Sequence, residues 1–138
     1  MVYEYLSTPR CTGLGLPYQQ RVLVIDDSAS DRLLAEANFL AHGMNADAVA
    51  DGNQALDYLH RKKYDAVICD TRLGAGVHGP DLVDRLRKVH QGQIIGTSSS
   101  EDADLAQSWG VKAVRFIPKP FGNYSGYVKR IREMLEGE

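Results

Sequence analysis

Several things that specialised protein classes need are scarce in this sequence. Cysteine occurs twice, at Cys11 and Cys69, too seldom for a disulfide framework. No apolar run is long enough to span a bilayer, and the N-terminus lacks the basic-then-apolar pattern of a secretory signal. A basic surplus is also missing: 16 Lys and Arg stand against 18 Asp and Glu, for a net charge of −2. Domains that grip nucleic acid carry such a surplus, so direct nucleic-acid binding is not expected. Internal repeats and low-complexity stretches are absent. A cytoplasmic, reducing setting without a membrane partner is the expectation that follows. Cys69 lies inside an apolar run and reads as a small core residue. What is present is ordinary for a globular domain: 138 residues, 43% hydrophobic and 25% charged, enough for one core.

Residues 1–20 differ from the rest. Pro9, Gly13, Gly15 and Pro17 interrupt any period, so this stretch reads as an N-terminal extension or linker, with 21–138 as the domain. Tyr3, Tyr5, Leu6, Leu14, Leu16 and Tyr18 leave room for parts of it to pack on the domain. From Arg21 onward, short apolar runs alternate with helical spacing. The runs are Val22–Ile25, Ala46–Ala50, Ala66–Cys69, Gln93–Thr97 and Ala113–Ile117. The first and third are continuous and rich in β-branched residues, as strands buried on both faces are. Between and after them, helical stripes run through Leu33-Ala37-Leu40, Ala55-Leu56-Leu59, Leu82-Val83-Leu86-Val89, Leu105-Ala106-Trp109 and Tyr127-Val128-Ile131-Leu135. Ser30 or Asp31 is expected to cap the first helix, and Gly43 and Gly110 to end theirs. Strict β–α alternation implies right-handed crossovers and a parallel sheet with helices on both faces, an α/β fold.

Ligands of open parallel sheets bind beyond the carboxyl ends of the strands. The polar residues there are Asp26-Asp27 after the first strand and Asp70 after the third. Thr97-Ser98-Ser99-Ser100 follow the fourth and Lys119-Pro120 the fifth. Three carboxylates at neighbouring strand ends repel one another, and a divalent cation relieves this. An all-oxygen donor set suits Mg²⁺ better than Zn²⁺. With a lysine and a hydroxyl opposite, the set makes a pocket for one phosphoryl group, and one carboxylate can act as nucleophile to form an acyl phosphate. Each residue alone has an ordinary explanation: Asp-Asp caps helices, serines fill loops and lysines sit in solvent. Their joint placement at four strand ends carries the chemistry.

The motifs Val22-Leu23-Val24-Ile25-Asp26-Asp27-Ser28, Tyr64–Asp70, Ile94-Ile95-Gly96-Thr97-Ser98 and Phe116-Ile117-Pro118-Lys119-Pro120-Phe121 resemble the receiver domain family of bacterial response regulators. The resemblance implies a flavodoxin-like, doubly wound (βα)5 fold with a five-stranded parallel sheet in the order 2-1-3-4-5. It also implies roles. Asp26 and Asp27 would hold Mg²⁺. Asp70 would be both metal ligand and phosphoacceptor, and the backbone carbonyl of Arg72 a further ligand. Ser98 would bind the phosphoryl group, Lys119 would pair with it, and the Lys119–Pro120 bond would be cis. Strand alignment favours Ser98 as the hydroxyl, whereas counting back from Lys119 favours Thr97. Gly74 replaces a common proline in a long loop after Asp70, and Phe116 stands where a switching tyrosine is usual. Trp109, on the fourth helix, is expected to lie away from the metal site.

The implied function is phosphoryl acceptance on Asp70 from a sensor histidine kinase or phosphotransfer protein, controlling a downstream partner. The chemistry is self-directed, so an enzyme with turnover on a free substrate is not expected. A pseudo-receiver that only binds partners would not need the full set of Asp26, Asp27, Asp70 and Lys119. A haloacid-dehalogenase-like phosphatase would need a second acid where Arg72 stands. An FMN carrier would find its phosphate repelled by Asp26-Asp27.

Overall fold

The continuous runs become the two inner strands of a sheet covered on both faces. The computed structural model describes residues 19–99, 103–120 and 124–137, and side chains at 103–105 are not among those described. The elements are β1 (Arg21–Ile25), α1 (Ala29–Ala41), β2 (Asn45–Val49), α2 (Gly52–Arg61), β3 (Ala66–Asp70), α3 (Val83–Val89) after a 3-10 turn at Gly79–Leu82, β4 (Gln93–Thr97), α4 (Ala103–Val111), β5 (Arg115–Phe116) and α5 (Tyr124–Glu136). All pairings are parallel, and the strand order is 2-1-3-4-5. The expected α/β doubly wound architecture is the one observed. The five-residue run Ala113–Ile117 narrows to a two-residue edge strand. No helix of the described residues is long and apolar enough to cross a membrane.

The period of two along β1 and β3 divides the core. Leu23, Ile25, Val67 and Cys69 face one way and pack with Leu59, Leu86 and Trp109 from α2, α3 and α4. Val22, Val24, Ala66 and Ile68 face the other way, against Phe39 of α1 and Val128 and Ile131 of α5. Each buried Val, Leu, Ile or Phe side chain among them contributes about 1.5–3 kcal/mol by leaving water. That burial on both faces is why these strands show no polar alternation.

Three local expectations are corrected. The Leu33-Ala37-Leu40 stripe faces solvent: Leu33 is 68% and Leu40 64% exposed, and α1 instead buries Ala35 and Phe39. Both sets have helical spacing. The inward set packs on Val22, Val24 and Ile131, and at the N-terminus Arg32 donates from Nη1 to the Asp26 carbonyl at 2.8 Å. The cap of α1 is Ser28, whose hydroxyl accepts from the Asp31 amide, ahead of the expected Ser30 or Asp31. Gly43 does end α1 in a left-handed turn (φ 77°), with Met44 N–H bonded to the Phe39 carbonyl. The corresponding turn after α4 is taken by Ala113 (φ 58°) and not Gly110, with Val114 N–H bonded to the Trp109 carbonyl.

Of the expected extension 1–20, residues 1–18 lie outside the described residues. Gln19 and Gln20 already tie to the domain through Asn45: its amide N–H donates to the Gln20 carbonyl, and its side chain donates to Gln19 Oε1.

Candidate functional site

Parallel register brings the strand ends together. β1 ends beside β3, so Asp26 and Asp27 lie next to Asp70, with carboxylate oxygens of all three within 4.8 Å of one another. Asp26 and Asp70 are buried and Asp27 is exposed. Each buried carboxylate has one oxygen fixed by a backbone amide. Ser28 N–H donates to Asp26 Oδ1 and Thr71 N–H to Asp70 Oδ1, both at 2.9 Å. Lys119, beyond β5, reaches in with Nζ 2.6 Å from Asp26 Oδ2, 3.0 Å from Asp31 Oδ2 and 3.4 Å from Asp70 Oδ2. Asp70 Oδ2 is thus the least tightly held oxygen of the two buried carboxylates.

The electrostatics are unbalanced. Three carboxylates, Asp26, Asp31 and Asp70, share one ammonium, and Asp27 adds a fourth negative charge beside Asp26 and Asp70. Burial pushes the Asp70 carboxyl up to about 6; Lys119 opposes the shift and Asp26 adds to it. Burial alone would lower the Lys119 ammonium, but Asp26, Asp70 and Asp31 outweigh it and hold the group well above its ordinary value. An excess of negative charge on converging oxygen donors, with no Cys or His among them, fits a hard divalent cation such as Mg²⁺.

The loop after β3 is a short hairpin. Arg72 and His78 form an antiparallel bridge, and Leu73 N–H donates to the Val77 carbonyl. Gly74, Ala75 and Gly76 turn the chain with φ of 72°, 50° and 76°. A Cβ on Gly74 would stand 3.0 Å from Asp27 Oδ2, so a proline or alanine there would crowd the acidic cluster. Gly79 N–H and Leu73 N–H make the bonds flanking Arg72, and among the described residues no backbone N–H donates to the Arg72 carbonyl.

The hydroxyl side is organised by β4. Thr97 pairs with Asp70 in register, but its hydroxyl accepts from Tyr127 of α5 at 3.3 Å, on the face away from α4. Ser98 is buried one residue further on, with its carbonyl accepting from Lys119 N–H at 2.8 Å. The Lys119–Pro120 bond is trans, against the expected cis form; trans is also the intrinsic preference of an X-Pro bond, by about 0.5–1 kcal/mol.

Sequence reasoning missed three contributors. Asp31 was legible only as a helix cap. Thr71 follows Asp70 and is fully buried; its hydroxyl donates to the Thr97 carbonyl at 2.8 Å. Trp109 is not remote: its indole Nε1–H donates to Thr71 Oγ1 at 2.8 Å. The ring lies so close to Gly79 and Gly96 that a Cβ on either would collide with it. Those two glycines were the available signal, but only the fold brings them together.

The comparisons agree with this geometry. The response regulator receiver domain family matches residues 22–132. The regulatory protein VirG of Agrobacterium fabrum is 34% identical over 129 residues, covering 92% of this chain and 49% of that protein. The transcriptional regulatory protein CutR of Streptomyces coelicolor is 30% identical over 119 residues, covering 83% of this chain and 52% of that protein. The chain spans about half the length of these curated relatives. The crystal structure of a response regulator from Thermotoga maritima superposes with a TM-score of 0.73 at 25% identity, covering 86% of this chain and 98% of that one. Strand order, the acidic strand ends and a family match across both cores lead to one assignment: the chain belongs to the response regulator receiver domain family.

Proposed function

We propose that this receiver domain accepts a phosphoryl group on Asp70 from a phosphohistidine of a sensor kinase or phosphotransfer protein, in the presence of Mg²⁺. The observation that carries the reading is the position of Asp70 Oδ2, buried among Asp26, Asp27 and Lys119 yet only loosely held. Asp26, Asp27, Asp70 and the Arg72 carbonyl are the proposed metal ligands. When bound, Mg²⁺ would supply positive charge against the phosphoryl oxygens. Asp70 Oδ2 attacks phosphorus, the bond to the donor histidine nitrogen breaks, and its electron pair leaves with the imidazole. Lys119 then neutralises the new phosphoryl oxygens. Ser98 is the proposed hydroxyl donor to the phosphoryl group. Strand register supports this choice over Thr97: Thr97 is the last residue of β4, paired with Asp70, and Ser98 lies one residue beyond the strand end. The chemistry is self-directed, and the added dianion biases the neighbouring helices toward a second state that a downstream protein reads.

Incubation with acetyl phosphate and Mg²⁺ should add one phosphoryl mass. That mass should be labile to hydroxylamine, absent in Asp70→Asn and absent when Mg²⁺ is chelated. Uptake that survives in Asp70→Asn, or that needs no metal, removes this reading. A phosphorylation-independent interaction module would show neither uptake nor Mg²⁺ binding.

A further inference from the structure

Lys119 has three N–H donors, and three carboxylates take them. Asp26 and Asp70 belong to the proposed metal and phosphoryl set. Asp31 belongs to neither. It sits in the first turn of α1, where the Ser28 hydroxyl accepts from its amide, and its carboxylate crosses to Lys119 at 3.0 Å. The Asp31 side chain is 32% exposed, whereas those of Asp26 and Asp70 are 4% and 12% exposed. Asp31 therefore stands at the solvent side of the cluster, on the Lys119 ammonium that an incoming phosphoryl group needs.

We propose that Asp31 is a positioning residue of this site: it holds one N–H of Lys119 off the phosphoryl group, slowing phosphoryl uptake while favouring divalent-cation binding. The proposal rests on Asp70 as phosphoacceptor. Two physical effects give the two signs. A fourth negative charge at the mouth repels an anionic phosphodonor and competes with it for Lys119. The same charge attracts a divalent cation and takes up part of the Lys119 ammonium, whose remaining charge is shared by Asp26 and Asp70, the cation's proposed ligands. With acetyl phosphate the transfer balances without a proton: the Asp70 O–P bond forms, the acetyl O–P bond breaks, and acetate leaves with its electron pair. For that product to be stabilised, Lys119 must turn a donor from a carboxylate to the phosphoryl group. Asp31 is the carboxylate whose release exposes no deeply buried charge.

The test compares the full chain with its Asp31→Asn and Asp31→Glu variants. Mg²⁺ binding is measured by calorimetry, and phosphoryl uptake from acetyl phosphate by intact mass at the saturating Mg²⁺ found for each variant. Asp31→Asn should weaken Mg²⁺ binding and speed uptake, each by about threefold to tenfold, the size for one partly screened charge. Asp31→Glu, which keeps the charge, should stay within about twofold of wild type. A purely structural role at the helix start would move melting temperature and lower both readouts together; that result, or uptake in Asp31→Asn no faster than wild type, overturns the proposal. If wild type takes up nothing, or Asp70→Asn takes up as much, the phosphoacceptor reading fails with it. If wild type is active, Asp70→Asn inactive and Asp31→Asn no faster, this inference alone fails.

Discussion

The two flanks of the site are built from opposite materials. On the β1–α1 side, Asp26 and Asp31 pair with Lys119 and Asp27 joins Asp26 in the acidic cluster, so negative charge exceeds positive. On the β4–α4 side the groups are neutral and hydrogen-bonded to one another. Trp109 donates to Thr71, Thr71 to the Thr97 carbonyl, and Tyr127 to the Thr97 hydroxyl, a chain running from α4 through two strand ends to α5. Asp70 joins the flanks: its Oδ1 accepts from Thr71 N–H and its Oδ2 faces Lys119. A satisfied neutral network in a dry setting rigidifies what it touches. An over-charged cluster is poised to change when a cation or a phosphoryl dianion arrives. The same substitution strategy, removing one polar partner, should therefore destabilise one flank and stabilise the other.

The largest effect belongs to the neutral flank. Trp109 is fully buried in a slot cut by Gly79 and Gly96. Trp109→Ala should cost about 3–5 kcal/mol in urea unfolding, because two glycines cannot close the cavity. Trp109→Phe keeps most of the ring contact and loses the indole bond, so it should cost less. A loss below about 1 kcal/mol for the alanine variant would mean this flank is loosely packed and the contrast is wrong.

On the charged flank the sign reverses. The Asp70 carboxyl has an ordinary value near 3.8 and is pushed to about 6 in the fold, first by burial, with Lys119 opposing. The folded state therefore holds the proton more tightly than the unfolded chain does. Below about 3.8 the group is protonated in both states and costs nothing. As pH rises through about 6 the folded state must carry a disfavoured charge, and stability is lost. Asp70→Asn should be more stable than wild type by about 1–2 kcal/mol at pH 7.5 in metal-free buffer, after discounting for residual solvent contact. The gain should fade toward pH 4. Urea titrations at several pH values check this; a variant equally stable or weaker at pH 7.5 would show that Asp70 carries no net strain.

The two flanks were unequally legible. The sheet could be read because β1 and β3 are buried on both faces and so appear as unbroken Val-Leu-Val-Ile and Ala-Val-Ile-Cys. The strand-end rule then gathers Asp26, Asp27, Asp70 and Lys119 from separate motifs, and the fold does bring their side chains together. The neutral flank left no local trace. Thr71–Trp109 joins residues 38 apart, and the slot needs Gly79 and Gly96 from two other segments. The rotation of α1 was also hidden. Leu33 and Leu40 look like core residues, yet the face that turns inward carries Ala35 and Phe39, which have equally helical spacing. Asp31 looked like a cap because its long-range partner, Lys119, lies 88 residues away.

The smallest effect on stability should accompany one of the largest on binding. Asp27 is the exposed member of the acidic cluster. Its carboxylate is well hydrated, and Gly74 leaves space beside it. Asp27→Asn should change urea stability by no more than about 0.5 kcal/mol, as surface substitutions do. Calorimetric Mg²⁺ binding should nevertheless be lost, because the variant replaces a charged oxygen donor with an amide in a cluster whose attraction for a hard cation is its excess negative charge. Together with Asp70→Asn this separates burial from charge. Both variants remove one carboxylate from the proposed ligand set and should abolish binding, yet only the buried one should gain stability. If Asp27→Asn gained as much as Asp70→Asn, mutual repulsion and not burial would be the source of the strain. Unchanged Mg²⁺ affinity in Asp27→Asn would leave Asp26 and Asp70 as the only proposed carboxylate ligands.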